Sequence, residues 1–98
     1  MRTTKAQEAL NIAEPAYRLA QADQNDFIPT LAALSKEELF SIAIEYNARL
    51  ESGEKPQPAT AKRRLVKAII QNIQERVAHT RQQYEQALEA CRQEETRE

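Results

Sequence analysis

From Thr60 to Cys91 the apolar positions of this chain keep one spacing. Val66, Ile70, Ile73, Val77, Thr80, Tyr84, Ala87 and Cys91 follow one another by four and three in alternation, which lines residues up along one seam of an α-helix. Neither proline nor glycine occurs from residue 59 onward. The pattern predicts a helix from about Ala61 to about Glu94, roughly 50 Å long at 1.5 Å per residue, with Thr60 as its N-cap. An apolar seam of that length has to be covered. Either the rest of the chain packs along it or a second copy does.

Upstream, the pattern predicts two shorter helices. Thr4 with Gln7 forms a capping box, so a first helix starts near Lys5 and runs toward Ala22. Its stripe of Ala6, Ala9, Ala13, Ala16 and Ala20 is flanked by Leu10, Tyr17 and Leu19. Pro15 lacks an N–H and crowds the preceding turn, so it should kink or split this helix. Asp23 to Asp26 reads as a polar turn. Phe27, Ile28 and Leu31 to Leu34, interrupted by Pro29, read as at most a short helical turn over the core. Ser35 with Glu38 is a second capping box, with Leu34 and Leu39 placed as a hydrophobic staple. The helix it opens should run to about Leu50, with Leu39, Ala43, Tyr46 and Leu50 along one face and Phe40 and Ile44 widening it. Glu51 to Ala59 contains Gly53, Pro56 and Pro58 and reads as an exposed loop. No segment alternates as a strand would, and no internal repeat is visible.

These elements add up to one all-α domain over residues 1–98: a small helical bundle with a kinked N-terminal helix, a central helix and one long C-terminal helix carrying coiled-coil heptads. The two shorter helices are expected on the first half of the long one. Its second half then extends beyond their reach. Val77, Thr80, Tyr84, Ala87 and Cys91 are therefore the expected interface with a second copy or with another helical protein. A parallel, in-register pair would bring two Cys91 side chains together.

Composition narrows the picture. Sixteen of the 98 residues are Ala, five are Tyr or Phe, none is Trp and one is Gly. Such a chain buries small side chains between close helices, which leaves little room for a large apolar ligand cavity.

Charge adds a local anomaly. Residues 1–54 carry a net charge of −4, residues 55–81 of +6 and residues 82–98 of −3. The long helix opens with Lys62, Arg63 and Arg64, followed by Lys67, although the positive end of the helix dipole favours acidic side chains there. Each such cation costs about 0.3 to 1 kcal/mol at low salt. An anionic ligand would reverse the sign of that term, because free backbone N–H groups and clustered cations suit a phosphate. Two ordinary alternatives are a solvated charged face and pairing with the acidic N-terminal part of the chain. The overall pI near 5.9 argues against avid, non-specific nucleic-acid binding.

Leu34-Ser35-Lys36-Glu37-Glu38-Leu39, then Ile42-Ala43, then Lys62 three residues before Leu65 with Val66 and Ile69 following, resembles the helix-loop-helix pattern of SAP-type nucleic-acid-binding motifs. It is similar also to the related Rho N-terminal-like motifs. The likeness covers about residues 34–70 and leaves residues 71–95 as a helical extension. It implies a non-catalytic module of which Lys62, Arg63, Arg64 and Lys67 would contact the backbone of DNA or RNA. Two features depart from the pattern: the loop between the helices is longer, and Thr60 stands where a glycine is common.

Other chemistry finds little footing. His79 and Cys91 would lie about 18 Å apart on one helix by rise alone, too far for a catalytic dyad. Glu37/Glu38 and Glu94/Glu95 are sequence neighbours whose side chains diverge on a helix. A single His cannot complete the paired Glu-x-x-His ligand sets of bundle metal sites, and no glycine-rich phosphate loop or Cys-x-x-Cys is present. No catalytic residue, metal or cofactor is expected. Arg2 and Lys5 begin as a signal peptide does, but Asn11, Glu14 and Pro15 break the apolar run. With no run of membrane-spanning length and one Cys, the cytoplasm is the expected compartment.

Overall fold

The computed structural model describes residues 4–96, the side chains of the last two excepted. Arg2 and the Glu95 side chain, named above, lie outside what is described. The architecture is an all-α bundle of three helices: α1 (Lys5–Ala22), α2 (Lys36–Glu45) and α3 (Lys62–Thr96). At 35 residues, α3 is about 52 Å long, and the molecule measures 59 × 25 × 17 Å.

Both N-caps form, but only the one at Ser35 is a full capping box, because the Gln7 side chain donates to Asn11 Oδ1 at 2.9 Å instead of turning back to Thr4. The Gln7 N–H donates to Thr4 Oγ1 at 3.0 Å. At α2 the Glu38 N–H donates to Ser35 Oγ at 3.2 Å, and the Ser35 N–H donates to Glu38 Oε1 at 3.4 Å. Pro15 lies inside α1 without splitting it. The chain instead leaves α geometry at Asp23–Phe27, where it forms a π-helical turn rather than a polar reverse turn. That turn passes directly into a 3-10 helix at Ile28–Ala33, which buries Leu31.

The end of α2 departs from the expected position near Leu50. The helix stops at Glu45, and Asn47 adopts a left-handed conformation with φ 55°. The Asn47 N–H donates to the Ile44 carbonyl and the Ala48 N–H to the Ala43 carbonyl, the paired bonds of a Schellman termination. Asn is the non-glycine residue that tolerates this conformation best. Ala48 and Leu50 are released from the helix but still buried. A turn holds Leu50 in place, with its carbonyl accepting from Gly53 N–H and its N–H donating to the Glu54 carbonyl.

Two packing units share α3. In the first, a head, Leu31, Leu39, Leu65, Ile69 and Ile73 are wholly buried, with Ala43, Ala48, Leu50 and Ala68 around them. Each large side chain contributes about 2 kcal/mol by burial. The central line of this face is thus Leu65, Ile69 and Ile73, while Val66 and Ile70 of the expected seam are half-buried flanks. A straight helix drifts about 20° per heptad from a 3.5-residue repeat, so one heptad seam does not stay central along 35 residues.

The second unit is a two-helix arm, and here the expected packing is corrected: α1 lies on the second half of α3, not the first. Asp23 meets Arg76, Tyr17 stacks on Tyr84, and Ala13 and Ala87 line the same groove. The order shows that the two helices run antiparallel. Along α1, Ala6, Ala13 and Ala20 are buried, with Leu10 and Tyr17 half-buried between them. Small residues allow close approach, and the tyrosine rings stack between the two helices, 5.4 Å apart and 28° from parallel.

Candidate functional site

The basic start of α3 sits at the free end of the head. Thr60, the expected N-cap, has another role: its Oγ1 accepts from Gln57 N–H while its own N–H donates to the Gln57 carbonyl. This reciprocal pair closes the loop. Ala61 then occupies the cap position, its carbonyl accepting from the Arg64 and Leu65 N–H groups. Alanine offers no side-chain oxygen to the first turn. The three cations therefore face an uncapped helix end.

Of the four basic residues singled out in the sequence, three come together. Arg63, Arg64 and Lys67 line one open concavity of about 400 Å³ with Glu51. Lys67 Nζ lies 2.7 Å from Glu51 Oε1. The bond from Lys67, and then its charge, hold the Glu51 carboxyl below its ordinary value, with Arg64 and Arg63 adding to the effect. Both members of the pair are more than half exposed, so it contributes little to stability. Lys62 is directed elsewhere. Its Nζ donates to the Ala32 carbonyl at 3.2 Å, bracing α3 against the end of the 3-10 helix. Pairing of the basic segment with the acidic N-terminal part of the chain is thus present at two points, Lys67 with the loop residue Glu51 and Arg76 with Asp23.

The partner-interface residues have a different setting. Thr80 and Ala87 are buried beneath α1 within the same chain, and Val77, Tyr84 and Cys91 are half-buried along it. Thr80 Oγ1 donates to the Arg76 and Val77 carbonyls, which satisfies its hydroxyl inside the helix. The open apolar surface lies on the neighbouring edge of the arm, a groove of about 460 Å³ with Ala9, Ile12 and Ala16 on one wall and Gln83, Gln86 and Ala90 on the other. Ile12 is 75% exposed and Leu19 67%.

One cluster escaped the sequence reading. Arg76 lies where head meets arm. It donates to Asp23 Oδ2 at 3.1 Å and to Asn72 Oδ1 at 2.9 Å, and its guanidinium lies 4.9 Å from the centre of the Tyr46 ring. Asn72 in turn donates to the Tyr46 carbonyl at 3.3 Å. Burial, then the Asp23 charge, push the Tyr46 hydroxyl up, and Arg76 opposes them. A signal was present: Arg76 falls between Ile73 and Thr80 on the face that has to be covered.

Among the described residues no group of three His, Cys, Asp or Glu side chains is placed to hold a metal. His79 is exposed and Cys91 half-buried, on the same helix. Among the described residues no helix is long and apolar enough to cross a membrane. No family model, curated protein or solved structure matches the chain. The geometry of its own surfaces carries the functional reading.

Proposed function

We propose that this protein is a non-catalytic binding module whose head takes nucleic-acid phosphate at the start of α3. One observation carries the reading: Arg63, Arg64 and Lys67 converge on a single concavity in which Glu51 is the one carboxylate. Three cations against one anion leave an unbalanced charge of +2 at an uncapped helix end. A phosphate oxygen placed there accepts from guanidinium and ammonium donors and meets the favourable end of the α3 dipole. Lys62 acts as a brace, since its ammonium is engaged by Ala32. The likeness of residues 34–70 to SAP-type motifs points to the same ligand class, and phosphate contacts of this kind position a protein without reading base sequence.

The test is the salt dependence of binding to a labelled DNA duplex, followed by fluorescence anisotropy. Two to three neutralised phosphates give a log-log slope of about −2 to −3. Replacing Arg63→Ala and Arg64→Ala together should flatten the slope by about 2 and weaken binding to every sequence alike, with the helical circular dichroism unchanged. Absence of binding at low salt, or an unchanged slope in the double variant, refutes the reading.

A further inference from the structure

The two edges of the arm differ in charge. On one edge the Tyr17–Tyr84 stack is bordered by two ion pairs, Glu14 with Arg18 at 2.8 Å and Arg81 with Glu85 at 3.0 Å. At 100° per residue these four side chains stand about 160° around their helices from Ala16 and from the Gln83 line. The other edge carries the groove, whose lining includes no Lys, Arg, Asp or Glu, and it exposes Ile12 and Leu19. These two ion pairs thus stand away from the exposed apolar side chains, while Lys5, Glu8 and Asp23 lie on or beside the edge that carries Ile12 and Leu19.

That edge has an internal order. From the start of α1 to the π turn, one stripe reads Lys5, Ala9, Ile12, Ala16, Leu19 and Asp23, alternating small with large and ending in opposite charges. Turned end for end about a point near residue 14, the stripe matches itself. Ala9 faces Leu19 and Ile12 faces Ala16, and at the ends Lys5 comes to Asp23, which also holds Arg76 of its own chain. A parallel pair would set Ile12 on Ile12, Leu19 on Leu19 and each terminal charge on its like.

From this self-complementarity we infer that the groove edge is a homodimer interface, with α1 of one copy antiparallel to α1 of a second and each Ile12 entering the other copy's groove. This arrangement turns two arms into an antiparallel four-helix bundle, a two-fold contact in which the same surface is used by both copies. Over about 27 Å of α1 and about 20 Å for two helices side by side, each copy covers roughly 550 Å², or roughly 1,100 Å² in all, at the lower end of specific interfaces. The inference is independent of phosphate binding, since the head takes no part in it.

Sedimentation equilibrium of the whole chain, with Cys91→Ser to exclude adventitious disulfides, should return twice the 11.2 kDa chain mass. Ile12→Glu should return the single mass with unchanged circular dichroism, because a side chain 75% exposed does not hold the monomer together. Register is read by cross-linking in the same Cys91→Ser background. A mixture of Ile12→Cys and Ala16→Cys chains should oxidise to a mixed dimer several-fold more readily than Ile12→Cys chains alone. A single mass at about 100 µM, including a single-mass chain that captures a foreign helix on this edge, overturns the inference. So does a dimer that survives Ile12→Glu, or preferential cross-linking of Ile12→Cys to itself.

Discussion

Arg76 joins head to arm, and its removal should be costly in a way that can be apportioned. Arg76→Met keeps the aliphatic stem and deletes the guanidinium. Three contacts are lost. The ion pair with Asp23 joins side chains 36% and 23% exposed, which places it near the top of the range for accessible pairs, about 1 kcal/mol. The guanidinium over Tyr46, at 4.9 Å, contributes about 0.5 to 1 kcal/mol at such a half-open site. The hydrogen bond to Asn72 contributes about 0.5 kcal/mol. The loss should total about 2 kcal/mol.

Urea unfolding followed at 222 nm measures it. With a slope of about 1.5 kcal/mol per molar for a chain of this size, the midpoint should fall by roughly 1 M or more. A double-mutant cycle with Asp23→Asn should return a coupling of about 0.5 to 1 kcal/mol. The Tyr46 hydroxyl supplies a second readout, because Arg76 opposes the upward push from burial and Asp23. In Arg76→Met its titration should move further up. A raised folded-state pKa means that this contribution is complete below the ordinary tyrosine value of 10.0 and is lost as pH rises from there through the folded value. An Arg76→Met protein within about 0.5 kcal/mol of wild type, the range of a neutral surface change, would refute the view that this cluster fastens the two units.

Asn47 and Glu51 support two further expectations. Asn47→Val should cost about 1 to 2 kcal/mol, because a β-branched residue resists the left-handed conformation, whereas Asn47→Gly should stay within a few tenths; thermal melts should then separate the two variants by about 5 °C or more, and equal melting would mean that Asn47 does not terminate α2. Glu51→Gln should tighten anion binding several-fold at neutral pH by removing the one carboxylate among Arg63, Arg64 and Lys67. In the wild type the same gain should emerge only as pH falls below 4.5, since the Glu51 carboxyl is held lower than that value and its ion pair is lost as pH falls through the folded pKa. Binding of inorganic polyphosphate, compared between the two proteins across pH, checks both statements, and an acid-induced gain that persists in Glu51→Gln would exclude Glu51 as its source.

Much of the fold is local, and local signals are legible. Thr4 with Gln7 and Ser35 with Glu38 mark helix starts because a cap is made by residues three apart in sequence. The length of α3 follows from an uninterrupted helical period. The misplaced boundaries are also local but subtler: Asn47 lies inside an apparently continuous apolar period, and Thr60 looks like a cap until the Gln57 turn claims its hydroxyl. What an apolar seam does not encode is which segment covers it. Thr80 and Ala87 announce a partner, and only the three-dimensional path through the π turn makes that partner α1. At the candidate site the cluster of Arg63, Arg64 and Lys67 was visible as a charge run. Its counter-ion Glu51, and the diversion of Lys62 to Ala32, depend on how the loop returns.

One continuous helix runs through both head and arm, and this sets the bearing of one surface on the other. Lys67 and Gln83 are separated by about 24 Å of helical rise, and the basic cluster and the groove wall of α3 are rotated about 120° apart around its axis. They are like two throws of a crankshaft, set at a constant phase. Whatever seats at one throw neither blocks the other nor signals to it by local rearrangement. The shaft itself would have to bend or twist. A load taken on the cationic throw fixes where the arm points and which way its groove is turned.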